Sequence, residues 1–288
     1  VTLNIMAASK TAMFLSADFR LTHGRPRRQW YSDEPTTIKL NPWCNARGHA
    51  LVSFSGFASL DRRTTWGWLE KRIEELHIHS SIEDLLAKLA QPDELLQEIA
   101  LEDRRLTFCV VGYDETKPTA AIVSNFQSLH HEDLPTAAPT FTVTRVNPAN
   151  PFVFVGGDRK ALLRHEKRQL LRTLDRATDP FLGLVAGELA SFNANAASRS
   201  PRISAFCLSG YVTSDGRGAI TPFGVPEDVE FLPTFVRRKA IVPQAKKAPD
   251  GTPLPRRLVS MILQRQPQNG HMFAVSMALR NVEDPPTK

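Results

Sequence analysis

The chain has 288 residues, 42% hydrophobic and 23% charged, with 36 Lys and Arg against 30 Asp and Glu for a net charge of +6. This composition excludes a disordered, collagenous or coiled-coil chain, and the length allows one large domain or two ordinary ones with a sizeable core. No apolar run reaches the roughly 18–20 residues of a membrane-spanning helix, and no basic stretch followed by an apolar run opens the chain, so a soluble, cytoplasmic protein without a membrane partner is expected.

Residues 3–8 and 13–17 read as strands around the turn Ser9-Lys10-Thr11, so a hairpin opens the protein. Residues 23–37 are polar and basic with Gly24, Pro26 and Pro35, which predicts a loop, and 38–40 begin a short extended segment. The run 50–56 predicts a buried strand ending at Gly56. Trp66, Leu69, Ile73 and Leu76 then form one helical stripe that Thr64 or Thr65 caps, and Ser80 with Glu83 predicts a capping box before a second helix. Strands are expected at 106–113, 119–126, 140–146 and 152–155.

Gly156-Gly157 ends that run, and Asp158 is expected to cap a helix buried through Leu162, Leu163, Leu170, Leu171 and Leu174. Asp179-Pro180 starts another, with Phe181, Leu184, Val185, Leu189, Phe192 and Ala196 as its inner face. A hairpin of 205–213 and 218–221 follows around Ser214-Asp215-Gly216. Strand pairs alternating with helix pairs predict an α/β/β/α four-layer sandwich of two mainly antiparallel sheets. This domain covers 1–224. Seven prolines between 222 and 255 mark a connector, and within the extension 225–288 the apolar segments 258–263 and 271–279 are expected to dock on the domain.

Cys44, Cys109 and Cys207 are odd in number and widely spaced, which suits buried reduced thiols rather than disulfides or zinc. His77-Ile78-His79 and His130-His131 lack a third ligand at metal spacing and read as surface histidines, so no metal and no cofactor are expected. The basic residues fall in short groups, among them Arg164, Lys167, Arg168 and Arg172, without an aromatic stacking motif or a DNA-reading motif. Nucleic acid is therefore an unlikely partner.

Chemistry concentrates at the start of the chain. Thr2 precedes the first strand and Asp18 follows the second, sixteen positions on, so the hairpin returns the carboxylate towards the chain start. Lys39 stands in Thr37-Ile38-Lys39-Leu40, and Gly56 closes Phe54-Ser55-Gly56. A terminal threonine whose own amine, of pKa about 7.7–8, acts as base is a competent nucleophile. A nearby lysine favours the neutral amine, an aspartate orients that lysine, and a backbone N–H stabilises the oxyanion by about 3 kcal/mol. Ser55 is a weaker nucleophile candidate, because Phe-Ser-Gly-Phe is not a nucleophile elbow.

In this order and spacing, with Asp18, Arg20 and Thr22 forming Asp-x-Arg-x-Thr and the turn Val212-Thr213-Ser214-Asp215-Gly216 near the end, the chain resembles the proteasome β-subunit family of N-terminal nucleophile hydrolases over about residues 2–224. The resemblance implies the same four-layer sandwich and a threonine-type hydrolase of peptide or other amide bonds. Its catalytic residues would be Thr2, Asp18, Lys39 and Gly56, with Thr22 binding substrate and Arg20 and Ser204 as structural support. It also implies a homo-oligomer, as a ring or stacked rings, and no cofactor. A catalytically inactive structural or binding subunit of the same fold is the alternative. Val1 precedes Thr2, and a GTG start codon with removal of the initiator is expected to free the amine. Three departures mark a divergent branch: Ser200 and Ser204 where an aspartate is expected, no serine in Val155-Gly156-Gly157-Asp158, and added segments between Thr22 and Lys39 and after 224.

Overall fold

The computed structural model describes residues 2–23, 30–33, 39–60, 63–91, 104–128, 133–148, 151–225, 256–265 and 272–281. The opening hairpin forms as its pattern requires, β1 (Leu3–Ala8) against β2 (Ala12–Asp18), with Asn4 opposite Ala17. Every residue of both strands is buried, as expected of strands covered on both faces. The segment expected to be a loop instead contains a short ribbon of β3 (Arg20–His23) and β4 (Trp30–Asp33), favoured by Trp30 and Tyr31. Next come β5 (Leu40–Cys44), β6 (Gly48–Gly56) and a two-residue ribbon of β7 (Ser59–Leu60) and β8 (Arg63–Thr64).

Thr64 caps α1 (Thr65–Glu74), its side chain accepting from the Gly67 N–H. The capping box of α2 (Ile82–Ala90) is one residue later than predicted. The Ser80 N–H is taken by the His77 carbonyl at 2.9 Å. Ser81 caps instead, its hydroxyl accepting from the Asp84 N–H at 3.2 Å while Asp84 accepts from the Ser81 N–H at 2.7 Å. Glu83 turns out to an ion pair with Arg145.

The strands β9 (Leu106–Asp114), β10 (Lys117–Ser124), β11 (Thr142–Val146) and β12 (Phe152–Gly157) follow near their predicted positions. Two corrections concern the helices after them. Asp158 does not cap α3 (Arg164–Arg176); Leu163 is the N-cap residue, and its N–H donates to Glu166 Oε2 at 2.8 Å. Asp179-Pro180 opens a 3-10 turn, Asp179–Phe181, before α4 (Leu182–Arg199). Val185, Leu189, Phe192 and Ala196 form the buried stripe as expected, joined by Leu182, whereas Phe181, in the 3-10 turn, and Leu184, about 110° round the helix from that stripe, are 54% and 70% exposed.

The last strands are β13 (Cys207–Thr213), β14 (Arg217–Phe223), β15 (Arg256–Arg265) and β16 (Met272–Asn281). The apolar segments of the C-terminal extension pair edge-on, β15 on β14 and β16 on β15. The connector at 226–255 lies outside the described residues.

The fold is mixed α/β with two large antiparallel sheets. One has the order β12-β1-β2-β13-β14-β15-β16 and the other β11-β10-β9-β6-β5. Strand alternation sorts the core into three clusters. Leu3, Ile5 and Phe14 pack with Leu170, Leu174 and Leu189 of α3 and α4. The alternate residues Met6, Met13 and Leu15 meet Leu51, Val111 and Ile122 of the other sheet. Val52, Phe54 and Val110 face Leu69, Leu85 and Leu86 of α1 and α2.

Candidate active site

β1 and β2 carry Thr2 and Asp18 to one end of the seven-stranded sheet. Asp18 ends β2 opposite Cys207 of β13. The five-stranded sheet brings Lys39, immediately before β5, and Gly56, the last residue of β6. Three of the four predicted catalytic residues are buried together, Thr2 at 2% exposure, Asp18 at 0% and Lys39 at 1%.

Lys39 Nζ joins them. It donates to Thr2 Oγ1 at 2.5 Å, to Asp18 Oδ1 at 3.4 Å and to the Arg20 carbonyl. Thr2 Oγ1 in turn donates to the Arg20 carbonyl at 3.4 Å. Burial lowers the Lys39 ammonium below its ordinary range, opposed by the Asp18 charge. Burial likewise raises Asp18, opposed by Lys39 and by the Ser204 N–H, which donates to Asp18 Oδ2 at 3.0 Å. A lysine with a weakened hold on its proton, touching a threonine hydroxyl, can polarise that hydroxyl and stabilise the alkoxide formed from it.

Arg20 and Ser204, expected as structural supports, both border this cluster. Arg20 grips Asp33, Nε lying 2.7 Å from Oδ1, and donates to the Pro201 carbonyl at 3.0 Å. This fixes the strand whose carbonyl receives Lys39. Ser204 is fully buried, and its hydroxyl accepts from the Phe206 N–H at 3.0 Å. Thr22 sits opposite Tyr31 in the β3–β4 ribbon, and its side chain lies outside the described residues.

Gly56 has only its backbone to offer. The Phe54 N–H donates to the Lys39 carbonyl at 3.3 Å. Strand alternation turns the next N–H on that edge, that of Gly56, the same way, past the start of β5. Its φ of 105° and the Arg105 carbonyl, 2.0 Å from where a Cβ would stand, restrict the position to glycine.

Sequence reasoning missed the back of the site. Asp158, expected as a helix cap, donates its N–H to the Thr2 carbonyl at 3.1 Å. Gly157, with φ of 82°, lies so close that a Cβ would stand 1.7 Å from the Thr2 oxygen. Gln127 bonds both backbone groups of Gly157. Only the paired glycines could have signalled this approach; a lone glutamine in a polar loop gives no local sign.

His77 and His79 are exposed and tilt against each other with ring centroids 5.3 Å apart, and His130-His131 lies outside the described residues. Among the described residues no group of three His, Cys, Asp or Glu is placed to hold a metal ion. Among them, too, no helix is long and apolar enough to cross a membrane.

No family model matches the chain and no curated protein matches it. Among solved structures it is similar to Anbu (ancestral β-subunit) from Yersinia bercovieri, with a TM-score of 0.49 and 12% identity over 73% of this chain and 81% of that one. It is also similar to a Gly-1 mutant of Anbu from Hyphomicrobium sp. strain MC1, with a TM-score of 0.48 and 11% identity over 74% and 83% of the two chains. The structure titled helical assembly of the Anbu complex from Pseudomonas aeruginosa gives 0.46 and 13% over 72% and 79%.

These findings correct the family assignment. The neighbours are Anbu proteins, proteasome-like but a distinct family, and neither a family model nor a curated relative supports membership among the proteasome β-subunit N-terminal nucleophile hydrolases. Thr2, Asp18, Lys39 and Gly56 are four residues spread over 55 positions. So sparse a pattern describes a local geometry and does not by itself define a family.

Proposed function

We propose that the protein is a threonine-type hydrolase of peptide or other amide bonds, with Thr2 as the nucleophile. The observation that carries this reading is the Lys39 Nζ contact to Thr2 Oγ1 at 2.5 Å inside a buried site that Asp18 completes. Once processing frees the Thr2 amine, that amine takes the hydroxyl proton while Oγ1 attacks the carbonyl carbon. The leaving amine receives the proton, and water then cleaves the ester left on Thr2. Lys39 stabilises the developing negative charge at Oγ1, Asp18 orients Lys39, and the Gly56 N–H binds the oxyanion.

The three hydrophobic clusters support reading the described elements as an α/β/β/α four-layer sandwich formed by residues 1–224, with 225–288 as an extension. Cys44, Cys109 and Cys207, present as thiols rather than disulfides, fit the reducing cytoplasm. Phe181 and Leu184, both exposed, fit a subunit contact in a homo-oligomer. A second reading, a structural or binding subunit without catalysis, is favoured by the 2% exposure of Thr2.

Intact-mass and N-terminal peptide analysis of purified protein, before and after a peptide epoxyketone, separates the two. The catalytic reading expects a chain beginning at Thr2 and an adduct there that Thr2→Ala abolishes. A blocked Thr2 amine, or hydrolysis that survives Thr2→Ala, would overturn it.

A further inference from the structure

The end of β10 is fastened to its own sheet by side chains. Ser124 Oγ shares a 2.6 Å hydrogen bond with Thr107 Oγ1 and accepts from the Gln127 N–H at 2.8 Å. Asn125 donates to the Arg104 carbonyl at 2.9 Å and accepts from the Leu106 N–H at 2.9 Å. From this anchored turn Gln127, 5% exposed, reaches the other sheet. Its Nε2 donates to the Gly157 carbonyl at 2.9 Å and its Oε1 accepts from the Gly157 N–H at 3.0 Å. One side-chain amide thus supplies both hydrogen bonds of a neighbouring strand, at the residue before the one whose N–H holds the Thr2 carbonyl. Asp133 fixes the amide's orientation by accepting from Nε2 at 3.1 Å, and Arg159 lies 3.3 Å from Asp133.

We propose that Gln127 is a positioning residue for the Thr2 reaction, holding Gly157-Asp158, and through them the Thr2 backbone, in register with Lys39. The proposal rests on the reading of Thr2 as nucleophile. Its physical basis is that Thr2 belongs to one sheet and Lys39 to the other, so their contact depends on how the sheets are tied at this end. The tie runs from Thr107 through Ser124, Gln127, Gly157 and Asp158 to Thr2 in hydrogen bonds of 2.6–3.1 Å. It closes on the backbone of Thr2, opposite to where Lys39 meets the hydroxyl. Gly157 admits no side chain, because a Cβ there would stand 1.7 Å from the Thr2 oxygen, so the approach of the two backbones depends on glycine.

The test uses the full chain and a peptide epoxyketone, measuring the saturating labelling rate and the half-saturating probe concentration for wild type, Gln127→Leu and Gln127→Glu between pH 5 and 8. A displacement of about 1 Å at a reacting centre costs on the order of 100-fold, so Gln127→Leu is expected to lower the saturating rate at least about tenfold with half-saturation unchanged. Gln127→Glu keeps the side-chain shape should the leucine variant fail to fold. Its carboxylate accepts from Gly157 but cannot donate, whereas its protonated form does both. The ratio of its rate to wild type is therefore expected to rise as pH falls. Variants that melt earlier yet label at the wild-type saturating rate, with a pH-independent ratio, would overturn the proposal. If wild type takes no probe, the nucleophile reading fails, and amide exchange at Gly157 and Asp158 decides the tie. Exchange about tenfold faster in Gln127→Leu supports it, and unchanged exchange overturns it.

Discussion

Replacing Asp18 with Asn preserves shape and removes the charge facing Lys39. At 3.4 Å and an effective dielectric of about 20, that pair attracts by about 5 kcal/mol. The loss is limited by an escape: Lys39 sheds its proton. Burial already pushes its pKa down, and Asp18 is the largest influence pushing it back up, ahead of Asp33, with Arg20 opposing. Deprotonating an ordinary lysine at pH 7.5 costs about 4 kcal/mol, which sets the ceiling on destabilisation at that pH.

The pH dependence follows from the signs. A Lys39 pKa below its ordinary 10.5 contributes stability that is present above pH 10.5 and lost as pH falls through the folded-state value. The raised Asp18 contributes stability that is present below pH 3.8 and lost as pH rises through its folded-state value. In Asp18→Asn the acid limb disappears and Lys39 falls further, so the rise towards pH 10.5 begins earlier and the deficit against wild type narrows. Urea unfolding of both proteins at unit pH steps from 4 to 10.5 measures this, with Asp18→Asn/Lys39→Met expected to be more stable than Asp18→Asn at pH 7.5 because methionine carries neither a buried charge nor the cost of deprotonation. Parallel curves from pH 6 to 10.5, or a loss under about 1 kcal/mol at pH 7.5, would refute the buried ion pair.

Other substitutions test other parts of the account. Gly157→Ala forces a Cβ to within 1.7 Å of the Thr2 oxygen at a φ of 82°, so a loss of at least about 1–3 kcal/mol and of epoxyketone labelling is expected by melting and mass spectrometry. Leu189→Ala, at a fully buried site, is expected to cost about 2–5 kcal/mol in urea unfolding, whereas Leu184→Ala, 70% exposed, should stay within about 0.5 kcal/mol. Ser81→Ala removes the cap of α2 and should cost about 1 kcal/mol, while Ser80→Ala leaves that cap intact; equal losses would return the cap to Ser80.

Local signals reached as far as local physics acts. The mostly apolar strands β1 and β6, the Thr64 cap and the apolar stripe of α4 each depend on neighbours within a few positions, and each is where its pattern requires. The cap falls on Ser81 rather than Ser80 because the His77 carbonyl takes the Ser80 N–H, a choice between two adjacent serines that each have an acidic residue three positions on. Phe181 was misplaced because it stands in a 3-10 turn outside the helix, and Leu184 because the 3.6-residue period sets it off the stripe of Val185, Leu189, Phe192 and Ala196.

By itself the sequence determined the alternation of strand pairs and helix pairs, because each depends on local periodicity, and the order and spacing of Thr2, Asp18, Lys39 and Gly56 drew attention to them through a family resemblance. Only the tertiary structure decided how the two sheets bring the first three into contact, since that depends on register between strands far apart in the chain. It also decided that Asp158 serves Thr2 rather than a helix, and that Gln127 reaches across to Gly157. Those contacts are made by backbone groups and by one amide, which carry no distinctive residue pattern. Their placement follows from burial, where a polar group without a partner is costly and the partner is whichever group the packing puts within reach.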